Sequence, residues 1–289
     1  VLYFPRGTTS DLLASRQPKV SFYYNGVVMM AGNMVYKDMK TVTTLAKAAV
    51  GSAKLSALGK TGEEIMATLQ PITLDVHMIG NPWMNYNVYL STIMVPGIMI
   101  LFMFLITAYS LGSEMKFNRS REWMQMAGGN VQIALAGKLL PQFLLFVSIL
   151  GTYAWYVFGH LNFPHPGGYG LILLLVLMTV LASQSFGVFV FALMPSLRMS
   201  MSVCSLWAVL SFSTCGATFP VFAMNPMIEA LSWLFPLRHY YMIYQINIFN
   251  GYPVADAWPH YVCMLAFILL PMLNCRNIKK AMLEYVYIP

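Results

Sequence analysis

The chain has 289 residues, 58% of them hydrophobic and only 9% charged, with a mean hydropathy of +0.63. Soluble domains carry about 25% charged residues, so a chain this poor in charge cannot cover its surface in water, and lipid is its expected solvent. The net charge of +7 does not indicate nucleic-acid binding, because the seventeen Lys and Arg form no dense run and eight of them fall in the first 60 residues.

Along the chain, residues 20–25 (VSFYYN) and 72–79 (ITLDVHMI) have strand composition. Between them, 33–58 is rich in Ala, Lys and Leu and predicts a helix. A second short helix is predicted from Thr61, where Thr61 and Glu64 fit a capping box. Residues 1–87 therefore read as a small α/β unit. LGKTG at 58–62 imitates the end of a phosphate-binding loop. The full motif needs a glycine five residues before Gly59, and Lys54 stands there. The segment also comes after a predicted helix rather than a strand, so it is read as a decoy, and no ATPase motif is visible in this chain.

Apolar runs long enough to cross roughly 30 Å of hydrocarbon are predicted at 88–112, 139–158, 169–194 and 197–222. A fifth, 258–275, is shorter and can span only with little tilt or local thinning. The resulting fold class is an α-helical polytopic membrane protein of five spans with a small external α/β domain at 1–87, succeeded by a membrane domain over 88–289.

Short loops set the orientation. Lys116, Arg119, Arg121 and Lys138, then Arg198, then Arg276, Lys279 and Lys280 alternate with loops nearly free of positive charge. The positive-inside rule places these basic loops and the C-terminus in the cytoplasm. Residues 1–87 are then external, and a further apolar segment is expected before Val1 to carry them across.

Charge gathers in one island: Ser113–Glu122 holds five charged residues, Glu114, Lys116, Arg119, Arg121 and Glu122. Ser113 can cap a helix, Arg119 and Glu122 can pair at i,i+3, and Gly128–Gly129 can stop it. Met115, Trp123 and Met126 fall on one face, Phe117 and Met124 on another. Asn130 can cap the next helix. The bland reading is a solvated loop; the sharper one is a docking helix of about 113–129 lying between the membrane body and a partner.

At the other side, Pro220, Pro226 and Pro236 break the apolar stretch 216–251 into pieces too short to span. These pieces predict an external re-entrant element at about 219–250.

Other chemistry is thin. The four cysteines form no CxxC pair and read as packing thiols. Five histidines (His77, His160, His165, His239, His260) map to the external side without an acidic cluster, so polar interface roles are expected ahead of a metal site. No acid stands between Glu122 and Glu229, which disfavours a proton-coupled carrier. Neither GxSxG, HExxH nor a paired membrane Asp is present for an intramembrane hydrolase.

REWMQMAGGNVQIALAGKLLP resembles the cytoplasmic segment of ABC-2 type membrane permeases. In that family an acidic-hydrophobic stretch, a small turn and a helix with Gly-Lys before Pro form the helix that couples to the ATPase subunit. Glu122 and Trp123 match the Glu-hydrophobic pair, while Gly137, Lys138 and Pro141 match the Gly-Lys and Pro of the helix beyond the turn. Ala127-Gly128-Gly129 departs from the family's frequent Thr-Pro turn. NPWMNYNVYLSTIMVPG at 81–97 and GATFPVFAMNPMIEALSWLFPLRHYYMIYQINIFNG at 216–251 are similar to the family's entry to its second span and to its external element.

The resemblance implies coupling residues Glu114, Lys116, Arg119, Arg121, Glu122, Trp123, Gly137 and Lys138. It implies an external element marked by Phe219, Pro220, Pro226, Pro236 and Arg238. The implied partners are an ABC ATPase carrying the ATP and magnesium, a second permease copy (the same chain or another), a periplasmic adaptor and the bilayer, here a bacterial inner membrane. The chain itself is expected to hold no cofactor or metal. The alternatives are a membrane receptor or scaffold whose external domain binds a ligand, and behind it an enzyme acting on lipid. Nucleotide-dependent transport separates the first reading from both.

Overall fold

The computed structural model describes residues 2–3, 21–22, 29–59, 61–62, 65, 86–217 and 224–284. The chain divides into two units, Val1–Val76 and His77–Pro289.

In the first unit, β1 (Leu2–Tyr3) pairs antiparallel with β2 (Ser21–Phe22), inside the first stretch of expected strand composition. The helix expected over 33–58 is α1 (Met29–Ala57). It stops where Gly59, at φ +78°, donates its N–H to the Ser56 carbonyl. The first glycine of the LGKTG stretch is thus a helix terminator, a position that favours Gly because a left-handed backbone costs it nothing. The expected strand 72–79, Glu64 of the capping box and His77 lie outside the described residues.

The second unit is helical. Long runs of Leu, Ile, Val, Phe and Met give α2 (Tyr86–Lys116), then α3 (Ser120–Met126) and α4 (Val131–Ala154), which continues into a π turn at Trp155–His160. Next come α5 (Gly168–Leu193), α6 (Leu197–Thr214), α7 (Pro226–Ser232) and α8 (Pro236–Ile243), the last running into a second π turn at Tyr244–Phe249. A 3-10 turn, α9 (Trp258–Leu273) and α10 (Cys275–Glu284) complete the chain.

Among the described residues four helical runs are long and apolar enough to cross a membrane: Leu90–Lys116, Val131–His160, Gly168–Leu193 and Val254–Glu284. The crossing expected at 197–222 falls outside that set, because α6 carries Arg198 and five serines and is not apolar enough. It nevertheless runs antiparallel along α2. A Cβ on Gly112 would sit 3.1 Å from the Leu197 Cα, and one on Gly97 would sit 2.4 Å from the Phe212 ring, so 97–112 of α2 and 197–212 of α6 lie side by side. Hydroxyls of Ser200, Ser202, Ser205, Ser211 and Thr214 bond to carbonyls three or four residues back. That internal satisfaction lets a serine-bearing helix pack against an apolar one.

The centre of the body is α5, apolar all round. Two thirds (67%) of its most apolar stretch is buried, against 22% for the α4 run and 17% for the α9 run. Gly187 lets α2 approach it, since a Cβ there would meet the Phe104 carbonyl at 3.2 Å. An aromatic group of Phe104, Phe186, Trp207 and Phe267 joins α2, α5, α6 and α9. A second, smaller core closes one end. There Leu111 and Met115 of α2, Met124 of α3, Val131 and Leu135 of α4, Phe191 of α5, and Ile278 and Met282 of α10 pack together. The chain is an α-helical polytopic membrane protein.

Candidate functional sites at the two ends of the bundle

The charged island forms the outer surface of the second core. Its helix starts later than the sequence suggests. α2 continues through Ser113 to Lys116, so Ser113 is no N-cap; its hydroxyl donates to the Ser110 carbonyl instead. The break comes at Asn118, whose φ of +55° turns the chain, and Arg119 occupies the N-cap of α3 without a side-chain bond. Arg119 and Glu122 do not pair. The ion pair of the island is Lys138–Glu114, both half-buried, joining the end of α2 to the start of α4. The same ammonium lies 5.6 Å from the centre of the Trp123 ring, so Lys138 touches all three helices.

The turn after α3 is set by its glycines. Gly128 donates to the Gln125 carbonyl and Gly129 to the Met124 carbonyl, with φ of +62° and +74°. This is the Schellman arrangement that ends helices. Asn130 then caps α4, its side-chain oxygen accepting from the Gln132 N–H at 3.0 Å. The apolar residues divide differently from the expected faces. Met115 and Met124 are buried and Trp123 half-buried against the second core, while Phe117 (60% exposed) and Met126 (76% exposed) point away from it. Arg119, Arg121, Glu122, Lys116 and Gly137 are exposed. Lys116 lies 5.8 Å from the Phe117 ring centre. Pro141 sits within α4, one turn beyond Gly137.

The opposite end encloses its polar groups. Pro226 and Pro236 each occupy the first turn of a new helix, where a missing N–H costs nothing. Asn225 caps α7 by accepting from the Met227 N–H at 3.0 Å. Phe219 and Pro220 lie outside the described residues. Arg238 is 2% exposed and donates to the Ser232 hydroxyl, which in turn donates to the Glu229 carbonyl. Its guanidinium lies 3.9 Å from the Glu229 carboxylate and 5.3 Å from the Trp233 ring centre.

Beside it stand two histidines that the sequence does not bring together. His239 Nδ1 and His260 Nδ1 are 3.0 Å apart, bridging α8 and α9. His239 Nε2 lies 2.9 Å from the Trp233 carbonyl, which can only accept, so Nε2 carries the proton. In the neutral pair His260 then donates to a bare His239 Nδ1. Burial pushes the His239 imidazole down to about 4; the Trp233 carbonyl opposes that shift and the Arg238 cation adds to it. His260 stacks on Trp233 with ring centres 5.2 Å apart. His165 contacts the Phe163 carbonyl at 2.7 Å, and His160 stacks on Tyr156. Among the described residues no three His, Cys, Asp or Glu side chains gather closely enough to hold a metal.

No curated protein and no solved structure matches the chain. Residues 1–273, from the start of the chain to the last residue of α9, match the family model of the ABC-2 family transporter proteins, and the chain belongs to that family.

Proposed function

We propose that this chain is the membrane-spanning subunit of an ATP-driven exporter and that α3 couples it to a separate ATPase. As an ABC-2 family member it is a transport permease subunit rather than an enzyme, and such permeases normally work with an ABC ATPase. The observation that carries the coupling reading is α3 itself. This short helix is anchored on the second core through Met124 and Trp123, and turns Arg121, Glu122 and Met126 outward. A helix held firmly on one side and bare on the other transmits a push from a partner into α2 and α4. The basic loops that flank it support a cytoplasmic position.

The body suggests the rest of the pathway. The α4 and α9 runs leave most of their apolar surface uncovered, which suits a second permease copy as well as lipid. The short helices α7 and α8 would roof the path from outside. Few charges in the spans favour an amphiphilic or lipophilic cargo.

The test is Glu122→Lys. On an exposed residue the swap costs the fold no more than about 0.5 kcal/mol, whereas a charged contact to the ATPase would lose about 2–5 kcal/mol. The variant is expected to insert at normal levels and to lose the ATPase on copurification. Undiminished ATPase binding and export would reduce α3 to a solvated loop.

A further inference from the structure

The family match ends at Leu273, so α10 lies outside it. We propose that α10 is a second arm of the ATPase-docking surface, taking acidic side chains of that partner on Arg276, Lys279 and Lys280. The proposal rests on the reading of α3 as the coupling helix.

The sequence CRNIKKAMLE has two faces. Ile278, Ala281 and Met282 are all but completely buried, and Ile278 and Met282 pack in the second core, where α10 meets α3, α4 and α5. A helix that lies on a membrane keeps its apolar face for lipid. In α10 that face is already used inside the protein, so the helix is fixed as part of the island end. Arg276, Lys279 and Lys280 stand at i, i+3 and i+4 on the opposite face, all exposed. Lys279 also lines an open cleft with Cys275 and the turn Gly128–Gln132 that ends α3. The turn after the proposed coupling helix and the basic face of α10 therefore border one opening.

Charge selects the partner. Seven exposed cations mark this end among the described residues: Lys116, Arg119, Arg121, Arg198, Arg276, Lys279 and Lys280. Against them stand the exposed Glu122 and Glu284, since Glu114 is occupied by Lys138. Such a surface repels a basic protein and steers an acidic one toward it. Anionic lipid is the competing occupant. Lys279 faces the cleft beside the glycine turn, however, whereas the uncovered apolar residues at the end of α9 are Met272 and Leu273. The geometry favours a protein that covers α3 and α10 together.

The experiment uses the full chain in nanodiscs and the ABC ATPase that copurifies with it, with affinity measured at low and high salt in zwitterionic and in anionic lipid. Lys279→Glu with Lys280→Glu is expected to weaken binding about tenfold or more at low salt, in both lipids alike, with the difference shrinking at high salt. Lys279→Gln with Lys280→Gln should give a smaller loss in the same direction, at an unchanged melting temperature. Unchanged affinity in the α10 variants, while Glu122→Lys abolishes binding, overturns the proposal and leaves the coupling reading standing. A loss confined to anionic nanodiscs assigns α10 to lipid and also overturns it. Wild-type chain that fails to bind the ATPase removes the coupling reading and this proposal together.

Discussion

At one end of the bundle Arg119, Arg121, Glu122 and Met126 stand in the open on and beside α3; at the other, Arg238, His239 and His260 are enclosed by Ser232, Trp233 and Phe267. Both ends are built of short helices set off by turns, and both carry charge or titratable groups. They differ in where the hydrogen bonds go. The histidine end closes most of its donors and acceptors on itself, with the Arg238 Nε buried and unpartnered. The island end uses backbone bonds, the Asn130 cap and one ion pair to hold its turn in place, and leaves Arg119, Arg121, Glu122 and Met126 exposed. A closed polar network fixes a shape, whereas a free polar face on a fixed turn is available to a partner.

The largest expected effect tests that contrast directly. Arg238→Ala removes a buried cation from Ser232, Glu229 and Trp233 and leaves a cavity, at a cost of about 3 kcal/mol. Glu122→Lys should stay within about 0.5 kcal/mol of wild type. Thermal unfolding of both variants in detergent measures the difference. Equal melting temperatures would mean that the enclosed network contributes no more than an exposed side chain.

The second expectation is pH dependence at the histidine end. The folded pKa of His239, about 4, lies below its unfolded value of 6.5, so the unfolded chain binds the extra proton first on acidification. Stability is therefore complete above pH 6.5 and is lost as the pH falls toward 4, at up to about 1.4 kcal/mol per pH unit for this one group. Protonation would also place a cation at His239 Nδ1 opposite His260, beside Arg238, with the Glu229 carboxylate 3.9 Å from that guanidinium. His239→Phe keeps the other groups and removes this titration, so its melting temperature should fall less steeply between pH 7 and pH 5. An identical slope in both proteins would show that His239 is not buried neutral.

The two ends also differ in how much of them is legible in the sequence, and the reason is the range of the interactions. The Gly128–Gly129 stop, the Asn130 cap and the proline starts of α7 and α8 are decided by residues within five positions of each other. They can be read directly from the chain. The His239–His260 contact joins residues 21 apart across two helices, and no local spacing announces it. The folding of α10 onto α3 is likewise decided by an apolar face meeting a distant core; the basic residues alone suggest only a tail. The island helix starts later than expected because Ser113 is a good cap in isolation, while α2 gains more by continuing through it to bury Met115. For α6, apolar content suggests a full crossing, and its serines and Arg198 make it the more polar helix even though it lies beside α2.

The island end can be sharpened by separating residues that hold α3 from residues that would meet a partner. Lys138 and Glu114 are half-buried and joined to each other, and Trp123 lies under the same ammonium, so all three are positioning residues. Lys138→Met should cost about 1 kcal/mol of stability and leave ATPase copurification largely intact while lowering transport-coupled ATP turnover. Exchange of the pair, Glu114→Lys with Lys138→Glu, should recover part of that turnover. Failure of the exchange to recover anything, together with lost ATPase binding in Lys138→Met, would make Lys138 a docking residue like Glu122.

The smallest expected effects lie in the turn itself. Asn130→Ala removes the bond to the Gln132 N–H and should cost about 1 kcal/mol. Gly129→Ala forces a side chain into φ +74°, again at about 1–2 kcal/mol, although nothing lies within 4 Å of the new Cβ to clash with it. Because the space is open, any loss beyond that range would have to come from the backbone. Neither residue belongs to the free face of α3, so neither should remove a direct contact to a partner. If the turn only connects two helices, both variants should couple to ATP hydrolysis as the wild type does once stability is corrected. If it sets the angle at which α3 is presented, Gly129→Ala should reduce coupling further than Asn130→Ala at matched stability, because it alone disturbs the Schellman bond to Met124, the residue that anchors α3 in the second core.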